Sequence, residues 1–333
     1  SENSVRYRNK AQFPAGVNKD GDVILGFYAF HSHRIVQCDD CLLQPEIFSQ
    51  LVKAAENWIT ENNISIYNEE AHSGLLRHIY IRRAEKTGEI MFTAVINGKM
   101  LPEADKLIEA VKSVAGDDLK SVMLNINTAD TNVILGDECQ CLYGEEYITD
   151  ILCGVRGRLS ALSFYQVNRT MAEKLYKKAS EYAEPKNKNI LDLYCGAGTI
   201  GLSMAKNAKS IIGVEIVPEA IEDAKHNAEI NGIKNARFIC GDASKAAEEL
   251  KAEGITPKTV ILDPPRKGCA EELLKTVAEI NPQKIVYVSC DSATQARDCK
   301  IFAELGYETV KAVAVDMFPR TAHVESVCWL SRK

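Results

Sequence analysis

The fold is decided by Ile190-Leu191-Asp192-Leu193-Tyr194-Cys195-Gly196-Ala197-Gly198-Thr199-Ile200-Gly201, a short apolar run followed by three closely spaced glycines. The apolar run predicts a buried strand, and the residues from 200 to 207 predict the helix that follows it. Gly196, Gly198 and Gly201 form a G-x-G-x-x-G pattern, whose small residues let the backbone approach a ligand at the carboxyl edge of a parallel sheet. This stretch predicts an α/β domain that holds a nucleoside-containing cofactor.

The rest of the second half repeats this alternation of strand and helix. Short connections between alternating strands and helices are typical of a doubly wound parallel sheet, so we predict a Rossmann-like α/β domain over residues 161–333. The predicted strands are 190–194, 210–214, 236–240, 259–262, 284–289, 309–315 and 324–330, and the predicted helices are 168–183, 200–207, 218–231, 243–251, 270–280 and 293–305.

The first 160 residues have a mixed pattern. Strand-type segments at 23–30, 78–82, 89–97 and 121–127 are interrupted by helical apolar spacing at 45–60 and 102–114. Mixed order of this kind indicates an α+β domain. Since 333 residues suffice for two domains of about 100–200 residues, we predict a smaller, central α+β domain over 1–160 that precedes the α/β domain.

Composition excludes several protein classes. A chain that is 46% hydrophobic and 26% charged is not disordered, collagen-like or coiled-coil. No apolar run reaches the ~18 residues of a membrane helix, and the N-terminus has no signal-peptide pattern, so we expect a cytoplasmic protein with no membrane partner. The eleven cysteines are expected to be reduced. With a net charge of −6, any nucleic acid must be bound by local basic patches.

Carboxylates stand at the ends of three successive predicted strands, at Asp192, Glu215 and Asp242. Three carboxylates make a poor site for the pyrophosphate of NAD, although the glycine pattern alone fits NAD and S-adenosylmethionine equally. Asp192 suits the ammonium group of S-adenosylmethionine, Glu215 suits a ribose, and Asp242 suits the adenine amine. Asp192 and Asp242 can instead cap the following helices. The three together favour S-adenosylmethionine.

Two further strand positions carry residues suited to catalysis. Asp263-Pro264-Pro265-Arg266 is a rigid turn that can present Asp263 and Arg266 to a planar polar ring, or else form a structural salt bridge. Glu325 opens the apolar final strand, where burial would raise its pKa and suit it to act as a general base. A solvated strand end is the alternative for Glu325.

Cys290 differs from the other cysteines by its position between a predicted strand and a predicted helix. Ser292 and Gln295, three residues apart, predict a capping box for that helix. The dipole and free N–H groups of a helix start favour the thiolate form of a nearby cysteine. We therefore predict that Cys290 is a reactive thiol, whereas most intracellular cysteines pack as small apolar residues.

Several short motifs occur together, and in this order they resemble the RNA uracil-5-methyltransferases, which methylate C5 of uridine in tRNA or 23S rRNA. The motifs are Tyr7-Arg8-Asn9-Lys10-Ala11-Gln12-Phe13, Gly26-Phe27-Tyr28, Ser32-His33-Arg34-Ile35-Val36, Phe164-Tyr165-Gln166-Val167-Asn168, the glycine pattern, Asp263-Pro264-Pro265-Arg266, Ser289-Cys290-Asp291 and His323-Val324-Glu325.

The resemblance implies a role for each site residue. Cys290 is the nucleophile that adds to C6 of uracil, and Glu325 is the base that removes the C5 proton. Asp263 and Arg266 orient the uracil and stabilise enolate charge. Phe164 contacts a base flipped out of its stack. By resemblance the cofactor is bound by Gln166, Tyr194, Glu215 and Asp263, with Asp242 as a weaker candidate. The strand-end and glycine patterns add Asp192, Gly196 and Gly198 to the predicted cofactor site.

The rRNA branch of the family is favoured by Cys41, which matches the fourth cysteine ligand of a [4Fe–4S] cluster in its full-length members. The other three cluster cysteines are absent, so we expect an N-terminally truncated chain without an intact cluster. A zinc site at Cys38 and Cys41 is the alternative, although Cys139-Gln140-Cys141 is too closely spaced to complete it. By resemblance the protein is a monomer.

RNA phosphates are expected to contact local basic residues, although these residues can equally be ordinary solvated surface. The candidates are Arg6, Arg8, Lys10, Arg77, Arg82, Arg83, Arg156, Arg158 and Arg169. The leading hypothesis is a 23S rRNA uracil-5-methyltransferase. The alternatives are a tRNA uracil-5-methyltransferase, an NAD-dependent oxidoreductase and a noncatalytic RNA-binding module.

Overall fold

A computed structural model describes residues 3–333, which divide into two compact units. The first unit comprises residues 3–150 and 158–167, and the second comprises 151–157 and 168–333. Among the described residues the chain therefore passes from one unit to the other after residues 150, 157 and 167. The single boundary predicted after residue 160 falls inside the segment 158–167, which belongs to the first unit. The first two residues of the predicted 1–160 domain lie outside the described residues.

The first unit is built on one seven-stranded sheet with the strand order β3-β2-β1-β4-β5-β6-β7. Neighbouring strands are antiparallel except β5 and β6, which are parallel and joined through helix α2. The strands are β1 (Lys10–Val17), β2 (Val23–Tyr28), β3 (Ile35–Gln37), β4 (Leu76–Arg83), β5 (Ile90–Ile96), β6 (Leu119–Ile126) and β7 (Glu138–Gly144), and the helices are α1 (Glu46–Glu61) and α2 (Ala104–Ala115). A hairpin of β8 (Ile148–Leu152) and β9 (Val155–Leu159) follows.

One face of this sheet forms an apolar core with the two helices. Phe48 and Trp58 of α1 and Leu107 of α2 are buried against alternate residues of β4, β5 and β6, such as Phe92 and Leu124. Alternation with period two lines one face of a sheet, which explains why the pattern at 121–127 predicts a strand. Strand β1 escapes the sequence patterns because Pro14 and Gly16 are residues that normally interrupt strands.

The opposite face of the sheet carries polar side chains, among which two arginines are buried. Arg82 donates to the carbonyl oxygens of Ser160 at 2.9 Å and Ser163 at 2.7 Å, and Arg77 donates to the carbonyl oxygens of Asn127 and Ala129, both at 2.8 Å. Their exposed fractions are 2% and 6%. The prediction that Arg77 and Arg82 contact phosphate is therefore wrong: both guanidinium groups hold loops of their own unit.

The second unit contains a seven-stranded sheet with the order β12-β11-β10-β13-β14-β16-β15. Its strands are β10 (Asn189–Leu193), β11 (Ser210–Glu215), β12 (Ala236–Cys240), β13 (Thr259–Leu262), β14 (Lys284–Ser289), β15 (Tyr307–Val315) and β16 (Glu325–Arg332). Its helices are α3 (Arg169–Ala183), α4 (Thr199–Met204), α5 (Pro218–Ile230), α6 (Ala243–Ala252), α7 (Glu271–Ile280) and α8 (Ser292–Glu304).

Six of the seven strands of this sheet point in the same direction, as the alternating pattern predicts, and β16 points the other way. Strand β16 lies between β14 and β15 and is antiparallel to both. Side chains of α6, α7 and α8 form one core with alternate strand residues such as Leu193, Leu262 and Tyr287. The order of β10 and β13, which lie side by side although two strands separate them in sequence, creates the crevice where ligands bind in open α/β sheets.

Within the part of the chain that the structure describes, no helix combines the length and the apolar character that crossing a bilayer requires.

We expect Arg82→Leu to lower the free energy of unfolding by about 2–4 kcal/mol, because the carbonyl oxygens of Ser160 and Ser163 would remain buried without their charged donor. Chemical denaturation measures the change. The matched control is Arg34→Leu, an exposed position where a change within about 0.5 kcal/mol is expected. Equal stabilities for the two variants would contradict this role of Arg82.

Candidate active site

The strand ends of the second sheet meet at one edge and carry most of the predicted site residues. In strand order they are Asp242 after β12, Glu215 at the end of β11, Asp192 and Tyr194 at the end of β10, Asp263 after β13, Cys290 after β14 and Glu325 at the start of β16. Since β16 is antiparallel, its first residue lies at the same edge as the last residues of the parallel strands. Neighbouring strands are about 4.8 Å apart, so the predicted catalytic residues are a few strand spacings from the glycine turn.

The register of β14 and β16 brings Cys290 and Glu325 together. Val288 is opposite Val327 and Ser289 is opposite Ser326 in this antiparallel ladder. One residue further in the same register places Cys290 opposite Glu325, and directly opposite residues have Cα atoms about 4.5–5.5 Å apart. Burial raises the pKa of the Cys290 thiol most, and the charge of Glu325 raises it further, as a nearby carboxylate would.

The carboxyl groups of this cluster are hard to ionise. Glu325 is 5% exposed, and burial raises its pKa to about 7, although the nearby Arg266 guanidinium opposes the shift. Burial also raises the pKa of Asp263 to about 8, with further contributions from the charges of Glu325 and Asp192. Two carboxyls with pKa values near neutrality can exchange protons at physiological pH, which is the property that a general base requires.

The thiol of Cys290 is also harder to ionise than usual, contrary to the prediction from its helix start. Burial is the largest cause of its raised pKa, followed by Glu325, while Arg266 acts in the opposite direction. The expectation that the helix start shifts Cys290 toward the thiolate is therefore wrong for the protein alone. A nucleophilic Cys290 must transfer its proton to a neighbouring base.

The loop that carries Cys290 is held by a different cap from the one predicted. Asp291 caps α8, because its Oδ1 accepts from the N–H groups of Ala293 at 3.0 Å and Thr294 at 2.9 Å. The Ser289 hydroxyl donates to the Asp291 carbonyl and accepts from the Asp291 N–H. The predicted capping box of Ser292 and Gln295 is wrong, since Gln295 is buried and bonded elsewhere.

The Asp263–Arg266 turn is anchored on its C-terminal side by Asp298 of α8. Asp298 is fully buried, and its Oδ2 accepts from the Cys269 N–H at 2.8 Å and the Tyr287 hydroxyl at 2.6 Å. Gly268 lies between the turn and Cys269, and its φ of +74° is a backbone conformation that favours glycine. Arg266 itself is exposed, so the anchored turn presents it to solvent. Asp298 carries no motif signal; its only sequence cue is a polar residue three positions from Gln295 on the buried side of a helix.

The glycine turn has the properties of a cofactor site. Asp192 is fully buried, and its Oδ2 accepts from the Gly201 N–H at 2.9 Å at the start of α4. Its Oδ1 has no hydrogen-bond partner among residues 3–333, and burial raises the pKa of this carboxyl to about 7. A buried acceptor without a donor costs free energy, and a cationic ligand would supply the missing donor.

Glu215 closes the other side of this turn. Its carboxylate accepts from the Gly196 N–H at 3.1 Å, the Ile216 N–H at 2.8 Å and the Val217 N–H at 3.0 Å. Tyr194, Gly196 and Gly198 have φ values of +64°, +54° and +77°, and the space beside the Gly196 Cα is open. An open backbone turn beside carboxylates fits S-adenosylmethionine, a cationic cofactor with a ribose.

The remaining predicted cofactor and base contacts have other surroundings. Asp242 caps α6, with its Oδ1 accepting from the N–H groups of Ser244 and Lys245, as the alternative for this residue states. Gln166 and Phe164 belong to the first unit, where the Gln166 carbonyl accepts from the Asn9 side chain and Phe164 is 76% exposed. Contacts of Asp242, Gln166 and Phe164 with ligands stay predictions.

Comparison with known proteins identifies the family. A family model described as tRNA (uracil-5-)-methyltransferase matches residues 118–333. This chain belongs to that family. Relatives named as uncharacterized RNA methyltransferases are 46% identical to it in both Caldanaerobacter subterraneus subsp. tengcongensis, over 99% of this chain and 73% of the relative, and Clostridium tetani, over 98% and 71%.

A solved structure extends this result to the whole fold. The Pyrococcus abyssi tRNA (uracil-54, C5)-methyltransferase, crystallised with S-adenosyl-L-homocysteine, has a TM-score of 0.84 and 31% identity over 99% of this chain and 77% of its own. A putative S-adenosylmethionine-dependent methyltransferase from Streptococcus mutans shares the fold alone, at 11% identity and a TM-score of 0.53 over 95% of this chain and 90% of its own. The Rossmann-like class I fold is confirmed, and the family member described here is an S-adenosylmethionine-dependent RNA uracil-5-methyltransferase.

The residues around Cys41 do not fit an iron–sulfur cluster. Cys38 and Cys41 are partly buried, and Arg6 donates to the Cys41 carbonyl at 3.0 Å. Among residues 3–333, no group of three or more His, Cys, Asp or Glu side chains is placed to hold a metal ion. A [4Fe–4S] cluster takes four cysteine ligands, and Cys38 and Cys41 supply at most two of them.

We expect Asp192→Asn, without cofactor, to gain stability relative to wild type as the pH rises from 5 to 8. In the wild type the pKa of Asp192 is raised in the folded state from 3.8 to about 7. The folded protein therefore holds a proton that the unfolded chain has released, and the free energy of unfolding falls as the pH rises toward 7. Asparagine keeps an acceptor for Gly201 and does not titrate. Denaturation of both proteins at each pH measures the difference in their free energies of unfolding. A difference that does not change with pH would contradict the raised pKa of Asp192.

Proposed function

We propose that this chain transfers a methyl group from S-adenosylmethionine to C5 of a uridine in 23S rRNA through a covalent bond between Cys290 and C6 of uracil. The observation that carries the proposal is the β14–β16 ladder, whose last pair, Ser289 and Ser326, directly adjoins Cys290 and Glu325, together with the influence of the Glu325 charge on Cys290. A thiol and a carboxyl that share one proton can serve as nucleophile and base.

The first step needs a thiolate. Since the pKa of Cys290 is raised, its proton must pass to a neighbouring carboxylate, and Glu325, with a pKa of about 7, is ionised in a large fraction of molecules at neutral pH. The Cys290 Sγ then forms a bond to C6, and the electron pair of the C5=C6 bond moves toward C5 and the C4 oxygen. Arg266, close enough to influence both Cys290 and Glu325, stabilises the enolate charge, and Asp263 accepts from the ring.

Bound S-adenosylmethionine supplies the methyl group that C5 takes up, and Asp192, Glu215 and the glycine turn would hold it. After the transfer, C5 carries both a methyl group and its original proton. Glu325 removes that proton after releasing the thiol proton to solvent, the C5=C6 bond forms again, and Cys290 leaves as a thiolate. The carboxyl therefore acts twice, and the second action frees the product.

The RNA substrate has two candidates, 23S rRNA and tRNA. The sequence around Cys41 resembles the 23S rRNA branch, whereas the Pyrococcus abyssi relative acts on uridine 54 of tRNA, which supports tRNA as the second candidate. We further propose that the first unit binds the RNA, that Phe164, exposed in that unit, contacts the flipped base, and that the protein acts as a monomer.

Methyl transfer from labelled S-adenosylmethionine to unmodified 23S rRNA and, separately, to unmodified tRNA tests the substrate. We expect 5-methyluridine in rRNA alone, identified by nucleoside analysis. Product in tRNA alone would agree with the proposed methylation of uridine C5 but would show that the substrate is tRNA and not 23S rRNA. Label in neither RNA, with the cofactor bound, would contradict the proposed function.

In Glu325→Gln the thiol proton passes to the neighbouring Asp263 carboxylate instead. We therefore expect this variant still to form the covalent protein–RNA adduct, to accumulate it and to release product at least 100-fold more slowly, because general-base catalysis contributes about 10²–10⁴-fold. In the wild type, release should accelerate as the pH rises through about 7, where Glu325 ionises, and the variant should lose this dependence. Denaturing electrophoresis with labelled RNA measures the adduct.

Cys290→Ala is the matched control for this experiment. It should form neither adduct nor product while binding S-adenosylmethionine normally, since Cys290 lies outside the glycine turn. Rapid turnover of Glu325→Gln without an adduct would remove Glu325 from the role of base. Methylation by Cys290→Ala would remove the covalent step.

A further inference from the structure

Helix α8 and strand β16 meet along a seam that begins beside the catalytic pair. Gln295 of α8 is 6% exposed, and Ser326 of β16 is 8% exposed. The Ser326 hydroxyl donates to the Gln295 Oε1 at 2.7 Å, and the Gln295 Nε2 donates to the Tyr287 carbonyl at 2.9 Å. One buried side chain therefore links β14, α8 and β16.

Each end of this link adjoins a residue of the proposed mechanism. Ser326 directly follows Glu325, and Ser289, whose carbonyl lies 3.4 Å from the Ser326 hydroxyl, directly precedes Cys290. Successive side chains of a strand point to opposite faces. A hydrogen bond that fixes Ser326 toward α8 therefore also fixes Glu325 toward the opposite face, where Cys290 would lie if the register continued one residue beyond the Ser289–Ser326 pair.

Glu325 lies at the very start of its strand. Residues 320–324, which lead into β16, are exposed, and β16 begins at Glu325 itself. The β15 partner of Glu325 is Val315, the last residue of its own strand. Glu325 is thus the last residue of the β15 ladder and lies one residue beyond the last pair of the β14 ladder, and the buried Gln295–Ser326 bond is adjacent to it.

We propose that the Gln295–Ser326 hydrogen bond is a positioning element. It holds the Glu325 carboxyl toward C5 of the uracil whose C6 is bonded to Cys290. The inference rests on the proposed function and adds to it two residues that do not touch the reacting atoms. Displacement of a catalytic group by about 1 Å can cost about 100-fold in rate. The step most sensitive to a displaced Glu325 is proton removal from C5, which follows adduct formation.

The seam supplies its own control. Cys299 of α8, one helical turn after Gln295, has its Sγ 3.6 Å from the Sγ of Cys328, which lies two residues after Ser326 on the same face of β16. This pair joins the same helix to the same strand, farther from the site edge. Cys299→Ala therefore loosens the seam without touching the bond beside Glu325.

The test uses Ser326→Ala and Gln295→Leu, with Ser326→Thr as the variant that keeps the hydroxyl. We expect the first two to release product about 10-fold more slowly and to accumulate the protein–RNA adduct several-fold above wild type, with unchanged affinity for S-adenosylmethionine. Ser326→Thr should restore release, and Cys299→Ala should lower stability without accumulating adduct. Loss of affinity for S-adenosylmethionine would show that a variant is misfolded. If this happens to Ser326→Ala or to Gln295→Leu, the other of these two variants tests the inference.

Turnover within twofold of wild type in Ser326→Ala, slower turnover without adduct, or equal adduct in Cys299→Ala would each overturn the inference. Glu325→Gln separates this failure from that of the mechanism. An adduct in Glu325→Gln with normal release in Ser326→Ala overturns the positioning role alone. No adduct in either variant overturns the covalent mechanism and the positioning role together.

Discussion

The site depends on one constraint, the antiparallel insertion of β16 between β14 and β15. The parallel strands of a doubly wound sheet deliver only their carboxyl ends to the ligand edge, so each contributes residues that follow it in sequence. A strand running the other way delivers its first residue to the same edge. Glu325 can therefore stand opposite Cys290 although 34 residues separate them, and the ladder from Ser289–Ser326 inward fixes their separation.

Burial gives this edge its chemistry. Asp192, Asp263 and Glu325 all have pKa values raised into the neutral range, with burial as the largest cause in each case. Each carboxyl thus lowers the stability of the protein alone once it ionises. Under the proposed function a ligand would compensate in each case: a cationic cofactor at Asp192, a substrate ring at Asp263 and a transferable proton at Glu325. Arg266 is the exposed cation that moderates the cluster on the catalytic side.

Local patterns predict the second unit well. Strands Ala236–Cys240, Thr259–Leu262 and Lys284–Ser289 have the bounds that their apolar runs indicate, and the glycine turn, the Asp263–Arg266 turn and Cys290 lie at the strand ends. Side-chain partners are predicted less well. Gln295 has the spacing of a capping residue but is buried against Ser326, because Asp291 occupies the cap. Arg77 and Arg82 look like phosphate ligands in sequence, yet the fold turns both guanidinium groups onto backbone carbonyls. The type of a residue and its local spacing do not show whether its side chain is exposed or buried. Burial depends on which distant segments of the chain pack over that residue.

The sequence by itself determined the alternation of strands and helices, the cofactor turn and the residue types that the chemistry needs, because these depend on neighbours within a few positions along the chain. The tertiary structure decided the order of β10 and β13, the direction of β16, the meeting of Cys290 with Glu325, and the sign of the pKa shift at Cys290. Those properties depend on register and on burial. Register and burial arise from contacts between segments tens of residues apart, whose free energies no local pattern contains.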